Sequence, residues 1–457
     1  MGKEKIISND TICALATAPG GALGIIRISG PLAFDAVSSI CSLNCNTIAA
    51  NTIHYTHIVN AQGEIIDEVM VSIFRAPHSY TGEDSIEISC HGSRYILNKV
   101  LELLIQHGCR MAGPGEFTQR AYLNGKMDLS QAEAVADLIA STNKATHDIA
   151  ISHLRGHFSS KLSELREQLL KLTSLLELEL DFSDHEDLEF ADRTELHALA
   201  QTIDFHITNL AHSFETGQVL KQGIPVAIVG KTNVGKSTLL NQLVGDERAI
   251  VTNIHGTTRD NIEETIDINN VTFRFIDTAG FRQTADPVEQ IGINRTLDKI
   301  KEARIIIWLL DQCPSKNELD EMNVLCKGKR TIYVHNKADL IDQRNFIPYT
   351  DPLTIISAYK GKGIDNLKRR IFEEAQIAGL TTSANDIVIT NIRHYEALCR
   401  AHSHLQRVLY GLDNGLTGEF LAEDLRIILD TLAEITGGQI TPQETLNLIF
   451  KSFCVGK

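Results

Sequence analysis

The chain has 457 residues, 43% hydrophobic and 22% charged, with only 10 prolines, and this composition excludes an intrinsically disordered protein. A formal net charge of −15 excludes a broad basic surface for unspecific nucleic-acid binding. No apolar run reaches the roughly 18–20 residues that span a bilayer, and no signal-peptide core follows Met1, so we expect a cytoplasmic protein without membrane segments.

The first 124 residues combine short β-type runs with turn residues. The runs cover residues 11–16, 24–28, 53–59, 69–74 and 85–90. A helical pattern follows at 95–105. This order predicts an α+β N-terminal domain over residues 1–124.

Helix periodicity begins at Leu129 and dominates two separate stretches of the chain. Apolar residues recur at three- and four-residue spacing from 129 to 180, and further helical stretches lead to about 215 and run from about 391 to the end. These stretches predict a discontinuous α-helical domain with a first part at 125–215 and a second part at 381–457.

The intervening region, 216–380, alternates apolar runs with helix-length segments. The runs cover residues 224–229, 271–276, 305–310, 331–334 and 353–356. Such alternation is typical of a mainly parallel sheet covered by helices on both faces. We therefore predict an α/β domain inserted into the helical domain.

The inserted domain begins with a phosphate-binding motif. Residues 230–237 read Gly-Lys-Thr-Asn-Val-Gly-Lys-Ser, fit G-x-x-x-x-G-K-[ST], and lie between an apolar run and a helix-forming segment. Lys236 can reach the β and γ phosphate oxygens, and the Ser237 hydroxyl can bind Mg²⁺. The other residues predicted to contact the nucleotide here are Asn233, Val234, Gly235 and Thr238.

Two short motifs at the ends of predicted strands specify the hydrolytic switch and the base. The first comprises Asp277, Thr278, Ala279 and Gly280, where a carboxylate can hold Mg²⁺ through water and an amide can contact the γ-phosphate. The second comprises Asn336, Lys337, Ala338 and Asp339. Asp339 can accept hydrogen bonds from guanine N1–H and the 2-amino group, a donor pair that adenine lacks, so the order of motifs predicts a Ras-like P-loop G domain.

Two further segments are assigned to the nucleotide. Ser357, Ala358 and Tyr359 complete the predicted base pocket, with the Ala358 amide as donor to guanine O6; an ordinary turn is the alternative. Thr258 is assigned to Mg²⁺ and the sensing of the γ-phosphate, again with a bare turn as the alternative. The loop before it supplies the remaining predicted contacts, Thr252, Asn253, Ile254, His255, Gly256 and Thr257.

The residue after Gly280 is Phe281, whereas Ras-like enzymes place a water-orienting glutamine there. The attacking water therefore needs another organiser. Glu289, in a polar segment twelve residues after Asp277, is a candidate. An exposed helix carboxylate is the alternative interpretation of this residue.

Taken together, the motifs resemble the MnmE (TrmE) family of tRNA-modification GTPases over essentially the whole chain. The resemblance rests on Ser-Tyr-Thr-Gly-Glu-Asp at 79–84, Gly-Pro-Gly-Glu-Phe-Thr at 113–118, the GTPase motifs with Gly-Thr-Thr-Arg-Asp at 256–260, and Phe-Cys-Val-Gly-Lys at 453–457. It implies a folate-binding N-terminal domain that mediates homodimerisation, a helical domain of two segments, and the inserted G domain.

The resemblance also implies an activity and partners. MnmE acts with the FAD-dependent MnmG (GidA) in a heterotetramer, and FAD enters only through that partner. Together they add a carboxymethylaminomethyl or aminomethyl group to carbon 5 of the wobble uridine of certain tRNAs. The one-carbon donor is a 5-formyl- or methylene-tetrahydrofolate, and GTP hydrolysis is stimulated by potassium.

Residue roles in the G domain follow from the same resemblance. The potassium site of the family corresponds to Asn233, Thr252, Ile254 and Thr257. A monovalent cation there would supply the charge that an arginine finger supplies elsewhere. The catalytic glutamate of the family corresponds to Glu289.

The folate contacts of the family correspond to Arg27, Glu87, Lys126 and Lys457, each of which would otherwise be interpreted as a surface charge. Cys454 corresponds to the family's C-terminal cysteine, whose role stays open. The other hypothesis is a regulatory GTP-binding ribosome-assembly factor. Such a factor needs neither the N-terminal domain nor the C-terminal motif.

Overall fold

The computed structural model describes residues 10–181, 193–231, 233–245, 264–276, 301–340, 353–380, 386–438, 443–451 and 453–456. The chain divides into two compact units. The first contains Met1–Ala140, Ala150–His206 and Ala397–Lys457; the second contains Ser141–Ile149 and Ile207–Glu396. Among the helices of the described ranges, none is long and apolar enough to cross a membrane.

The first unit contains a six-stranded mixed sheet. Its strands are β1 (Thr11–Leu15), β2 (Leu23–Ser29), β3 (Thr52–Val59), β4 (Ile65–Phe74), β5 (Ser85–His91) and β6 (Cys109–Met111). They lie in the order β3-β4-β5-β2-β1-β6, and only the β1–β6 pair is parallel. The α+β prediction is confirmed, although the sequence analysis missed the three-residue strand β6.

Strand alternation decides which side chains of this sheet enter the core. Ile26 and Ile28 of β2 are fully buried in a cluster with residues of the helices α1 (Ala33–Ser38) and α2 (Arg94–Gln106). Arg27, between them in the sequence, projects to the opposite face because successive side chains of a strand alternate. The face that carries Ile26 and Ile28 therefore packs against α1 and α2, and Arg27 lies on the opposite face.

The remaining helices follow in chain order. They are α3 (Glu116–Leu123), α4 (Leu129–Ala140), α5 (Lys144–Leu154), α6 (His157–Asp181), α7 (Arg193–Gln222), α8 (Lys236–Val244), α9 (Lys316–Leu325), α10 (Ile364–Ile377), α11 (Ile392–Asp413), α12 (Gly418–Thr436) and α13 (Gln443–Lys451). In α6 the predicted periodicity is confirmed, since Leu165, Leu169, Leu172 and Leu176 are fully buried. In the first unit, α12 packs along α6.

The second unit contains the predicted α/β sheet. Its strands are β7 (Ile224–Val229), β8 (Glu264–Ile268), β9 (Val271–Phe275), β10 (Ile305–Leu310), β11 (Arg330–His335) and β12 (Leu353–Ile355). The order is β12-β11-β10-β7-β9-β8, and every pair is parallel except β8–β9. The antiparallel edge strand β8 was not predicted, because its apolar residues alternate with polar ones over only five positions.

Candidate nucleotide and folate sites

The phosphate-binding motif joins the central strand of the second sheet to a helix. β7 ends at Val229 and α8 begins at Lys236, with Gly235 as its N-cap at a φ of 99°. A Cβ atom at Gly235 would collide with the side-chain amide nitrogen of Asn336. Only glycine therefore fits this position. The start of α8 follows it directly, and the N-terminus of a helix favours the binding of an anion.

The strand order places this motif at the point where the sheet topology reverses. From β7 the chain continues to β8 and β9 on one side of the sheet, and then to β10 and β11 on the other side of β7. In open α/β sheets, ligands bind at the carboxyl ends of the strands at such a switch point. The motif therefore lies where a phosphate ligand is expected.

Asn336 holds two of the predicted nucleotide-binding loops together. Its side chain is 3% exposed; Nδ2 donates to the Val234 carbonyl at 2.8 Å, and Oδ1 accepts from the Ala358 amide at 2.9 Å. The amide that we assigned to guanine O6 thus already donates a hydrogen bond within the protein. Asn336 positions the phosphate loop and the base loop relative to each other.

Asp339, which we assigned to the base pocket, has an exposed side chain. The hydroxyl of Ser357 donates to its Oδ1 at 2.5 Å, and this hydrogen bond holds the pKa of the Asp339 carboxyl below its usual value. The group is therefore ionised at neutral pH and can accept two hydrogen bonds. Tyr359, two residues after Ser357, is 82% exposed, so its ring is open to a ligand beside this carboxylate.

Two lysines of the predicted nucleotide-binding motifs are held by internal contacts. Lys337 has a φ of 60°, and its ammonium lies 2.6 Å from Asp311 Oδ2. Lys236 donates to the Gly230 carbonyl at 2.6 Å and to the Lys231 carbonyl at 2.7 Å. A phosphate bound in the loop would offer Lys236 a charged acceptor in place of these neutral ones.

Lys231 connects the phosphate loop to helix α9. Its ammonium lies 2.5 Å from Glu318 Oε1 and lowers the pKa of Glu318 to about 2. Glu318 also accepts a hydrogen bond from the Ser315 backbone in the capping box that begins α9. The second residue of the loop is thus tied to the end of a helix.

Ser237, the predicted Mg²⁺ ligand, is exposed in the first turn of α8. The described part of the chain contains no group of three or more His, Cys, Asp or Glu side chains arranged for a metal ion. The other predicted G-domain residues lie outside the described ranges: Thr252, Asn253, Ile254, His255, Gly256, Thr257, Thr258, Asp277, Thr278, Ala279, Gly280 and Glu289.

In the first unit, the structure brings together two of the predicted folate residues. Arg27 Nε donates to Glu87 Oε1 at 2.8 Å across the β2–β5 pair. The guanidinium also lies 5.3 Å from the ring centroid of Tyr80 and 5.6 Å from that of Phe117. Arg27, Tyr80 and Glu87 line a cavity of ≈ 80 Å³.

The other predicted folate residues are placed differently. The ammonium of Lys126 donates to the Pro77 carbonyl at 3.0 Å and does not line this cavity. Lys457 lies outside the described residues. Its neighbour Gly456 comes close, because the Gly456 carbonyl accepts from Arg27 Nη1 at 3.3 Å.

The C-terminal motif packs against the loop at 113–115. Val455 forms an antiparallel bridge with Pro114, and the Gly115 amide donates to the Cys454 carbonyl at 3.3 Å. The Cys454 side chain is exposed. Two of the motifs used for the family resemblance, 113–118 and 453–457, therefore meet beside Arg27.

Arg120 is a residue of this region that the sequence analysis missed. It is 6% exposed, and its guanidinium contacts Asp10 Oδ1 at 2.8 Å, Glu83 Oε2 at 3.2 Å and Glu116 Oε1 at 3.2 Å. Its partners come from three separate segments, so this arginine positions the 79–84 motif against α3. The available signal was an arginine in α3 close in sequence to Phe117 and Ala121, which are buried.

Comparisons with known proteins cover both units. Residues 129–454 match the family model described as the MnmE helical domain, and residues 11–126 match the model of the GTP-binding protein TrmE N-terminus. The tRNA modification GTPase MnmE of Phocaeicola vulgatus is 50% identical, covering 99% of this chain and 100% of that protein. The protein of the same name from Bacteroides thetaiotaomicron is 49% identical, with the same coverage. Among solved structures, the G domain of the T. maritima FeoB iron transporter matches 34% of this chain and 99% of that chain, at 25% identity and a TM-score of 0.24.

Proposed function

Because the chain belongs to the MnmE family of tRNA-modification GTPases, we propose that it uses GTP hydrolysis, with an FAD-dependent partner, to modify the wobble uridine of certain tRNAs. The chain is a GTP hydrolase that acts in tRNA modification. The product would be a carboxymethylaminomethyl or aminomethyl group on carbon 5 of the uracil ring.

The observation that carries this proposal is the 50% identity that extends over 99% of the chain. A ribosome-assembly factor would share the G domain alone, whereas here the family models extend over residues 11–126 and 129–454. We assign residues 1–124 to the folate-binding and dimerisation domain, 125–215 and 381–457 to the helical domain, and 216–380 to the G domain.

In the proposed G-domain mechanism, the residues around Asn336 hold the nucleotide and those of the switch loops organise its hydrolysis. The N-terminus of α8 and Lys236 bind the phosphates, while the ionised Asp339 accepts from guanine. Glu289 orients the attacking water in place of the glutamine that Phe281 replaces. Ser237 and Thr258 would hold Mg²⁺, which neutralises charge on the phosphates when bound.

GTP hydrolysis is expected to be faster in K⁺ than in Na⁺. Asn233 has a φ of 62° and an exposed side chain, which is compatible with a cation ligand beside the phosphate loop. Losing one group that stabilises transition-state charge costs about 10²–10³-fold in rate, so we expect a difference of that order at saturating GTP. Steady-state turnover in matched KCl and NaCl measures it.

The matched variant is Asn233→Ala, which should hydrolyse GTP at the same slow rate in both salts. Equal rates of the unchanged protein in K⁺ and Na⁺ would exclude the cation site. Thr252, Ile254 and Thr257 are the other proposed ligands of this cation.

The proposed folate site lies on the sheet face opposite α1 and α2. The cavity beside the Arg27–Glu87 pair is smaller than the roughly 300–1,000 Å³ of typical small-molecule sites, so in one chain it would enclose only one end of a folate. Arg27 and Glu87 present a donor and an acceptor to a polar ring system. Lys126 and Lys457 are the further proposed contacts.

The same sheet face supports the proposed homodimer. It exposes the apolar side chains Ile53 (63%), Tyr55 (58%) and Met70 (42%). Tyr55 pairs with Met70 across β3 and β4, so these side chains form a continuous apolar surface. Exposed apolar surfaces of this kind mark interaction sites. A heterotetramer with the FAD-dependent partner, in the cytoplasm, completes the proposal.

The test of the whole function is mass spectrometry of tRNA nucleosides from a strain that lacks this gene. We expect the C5-modified wobble uridines to be absent and to return when the gene is supplied on a plasmid. A plasmid carrying the Lys236→Ala variant should not restore them. Unchanged nucleosides in the deletion strain would contradict the proposed function.

A further inference from the structure

One helical segment of the chain belongs to the second compact unit, although it is distant from that unit in sequence. Residues 141–149, which include the start of α5, cluster with the α/β sheet and its helices. Ile149 is 7% exposed and lies in the same hydrophobic cluster as Ile266 of β8 and Phe273 of β9. The segment is thus packed against the β8–β9 hairpin.

A chain of hydrogen bonds connects this segment to the hairpin. Asn143 Nδ2 donates to Thr272 Oγ1 at 2.6 Å, and that hydroxyl donates to Asp267 Oδ1 at 2.5 Å. Asn143 Oδ1 in turn accepts from the Thr146 amide at 2.9 Å, in the first turn of α5. The direction of both hydrogen bonds through Thr272 is fixed, because the Asp267 carboxylate can only accept and the Asn143 amide nitrogen can only donate.

A backbone hydrogen bond lies next to these side-chain hydrogen bonds. The Ala145 amide donates to the Asn270 carbonyl at 3.3 Å, at the tight turn between β8 and β9. Asn269 and Asn270 have φ values of 50° and 67°, as a two-residue hairpin turn requires. The segment therefore contacts both the turn and the body of the hairpin.

The β8–β9 hairpin connects two predicted nucleotide-binding motifs along the chain. We call these motifs, residues 256–260 and 277–280, the two switch motifs. β8 begins four residues after Asp260 of the 256–260 motif, and β9 ends two residues before Asp277. Both motifs are proposed to contact the γ-phosphate or its Mg²⁺ ion. If either motif moves on hydrolysis, the displacement reaches one end of the hairpin through the covalent chain.

We propose that the chain Asp267–Thr272–Asn143, which we call the hairpin latch, couples the nucleotide state of the G domain to the start of α5. This inference rests on the proposed function for the role of the two switch motifs. Asn143 is suited to the task because one side chain both caps α5 and bonds to β9. A shift of Thr272 is thereby transmitted to the first turn of a helix.

The latch is tested with the full-length protein by Thr272→Val, with Thr272→Ser as the matched control. Valine keeps the side-chain shape and leaves Asn143 free to cap α5, but it removes the hydroxyl that links Asn143 to Asp267. Serine keeps that hydroxyl. Amide hydrogen exchange of residues 143–149 is measured with GDP and with a non-hydrolysable GTP analogue, together with GTP turnover and tRNA modification.

We expect exchange in 143–149 to differ between the two nucleotides in the unchanged protein and in Thr272→Ser, and the difference to vanish in Thr272→Val. GTP turnover should stay at the wild-type rate, while tRNA modification falls by about 2- to 30-fold, the range of coupling effects at such contacts. Asn143→Ser retains a capping hydroxyl but is too short to reach Thr272, so it should give the same result. Combining Asn143→Ser with Thr272→Val should cause no further loss.

Three outcomes would overturn the latch: nucleotide-independent exchange in the unchanged protein, wild-type behaviour of Thr272→Val, or a parallel loss of GTP turnover in that variant. A parallel loss of GTP turnover would mean that the Thr272 hydroxyl only stabilises the structure of the G domain. A failure of the proposed function is distinguishable, because the exchange experiment requires no tRNA.

Discussion

Replacing Glu289 by alanine is expected to slow GTP hydrolysis by about 10²–10⁴-fold, the usual cost of losing a positioned general base or water-orienting group. Affinity for Mg²⁺·GTP should stay nearly unchanged, because the proposed role of Glu289 is exerted on the attacking water and not on the bound nucleotide. Equal binding with slower turnover marks an interaction made mainly in the transition state. Single-turnover hydrolysis in K⁺ and equilibrium binding of a non-hydrolysable analogue measure the two quantities separately.

Asp286→Ala is the matched control, since it removes a carboxylate three residues earlier in the same segment. It should hydrolyse GTP at the wild-type rate. Ser237→Ala should behave differently from both, because loss of a Mg²⁺ ligand weakens metal-dependent binding itself. Wild-type turnover in Glu289→Ala would show that the glutamate is only a surface carboxylate and that other groups of the switch loops position the water.

Replacing Asp339 by asparagine is expected to lower GTP affinity by about 10²–10⁴-fold, from the loss of two hydrogen bonds to a charged acceptor. The pKa of Asp339 is depressed by the Ser357 hydroxyl, so the carboxylate that guanine meets is ionised throughout the neutral range. An asparagine offers one oxygen and one N–H₂ group instead. That pattern complements xanthine, which has an oxygen where guanine has its 2-amino group, so the variant should prefer xanthosine triphosphate.

Competition binding with GTP and xanthosine triphosphate measures this change in preference. Asp365→Asn is the matched control, because Asp365 is an exposed carboxylate in the first turn of α10 and lies outside the proposed pocket. It should leave both affinities unchanged. Unaltered GTP affinity in Asp339→Asn would remove Asp339 from the base pocket.

Most of the secondary structure could be predicted because local periodicity and turn residues are properties of short segments. The strands β7 and β10 are apolar runs and β11 is rich in β-branched residues and tyrosine, and all three were located correctly to within a residue. The exceptions were short or mixed elements. β6 has three residues, and β8 reads Glu-Thr-Ile-Asp-Ile, where only two positions, Ile266 and Ile268, are buried.

The positions of the nucleotide motifs in the fold could also be predicted from the sequence, because their spacing is fixed by the strand, loop and helix that carry each of them. Lys236, Ser237 and Asp339 all stand at the carboxyl ends of strands or at the start of a helix, as predicted. Patterns within short segments could not show that Asn336 connects the phosphate loop to the base loop. Its partner Val234 is 102 residues away in the chain.

The sequence by itself therefore determined the fold class, the motifs and the family, since these depend on residue types at short spacing. Only the tertiary structure decided which distant groups meet: Arg27 with the Gly456 carbonyl, Arg120 with Asp10, and Asn143 with Thr272. The physical reason is that such contacts depend on strand order and on the packing of whole elements. Neither is encoded in the periodicity of any single segment.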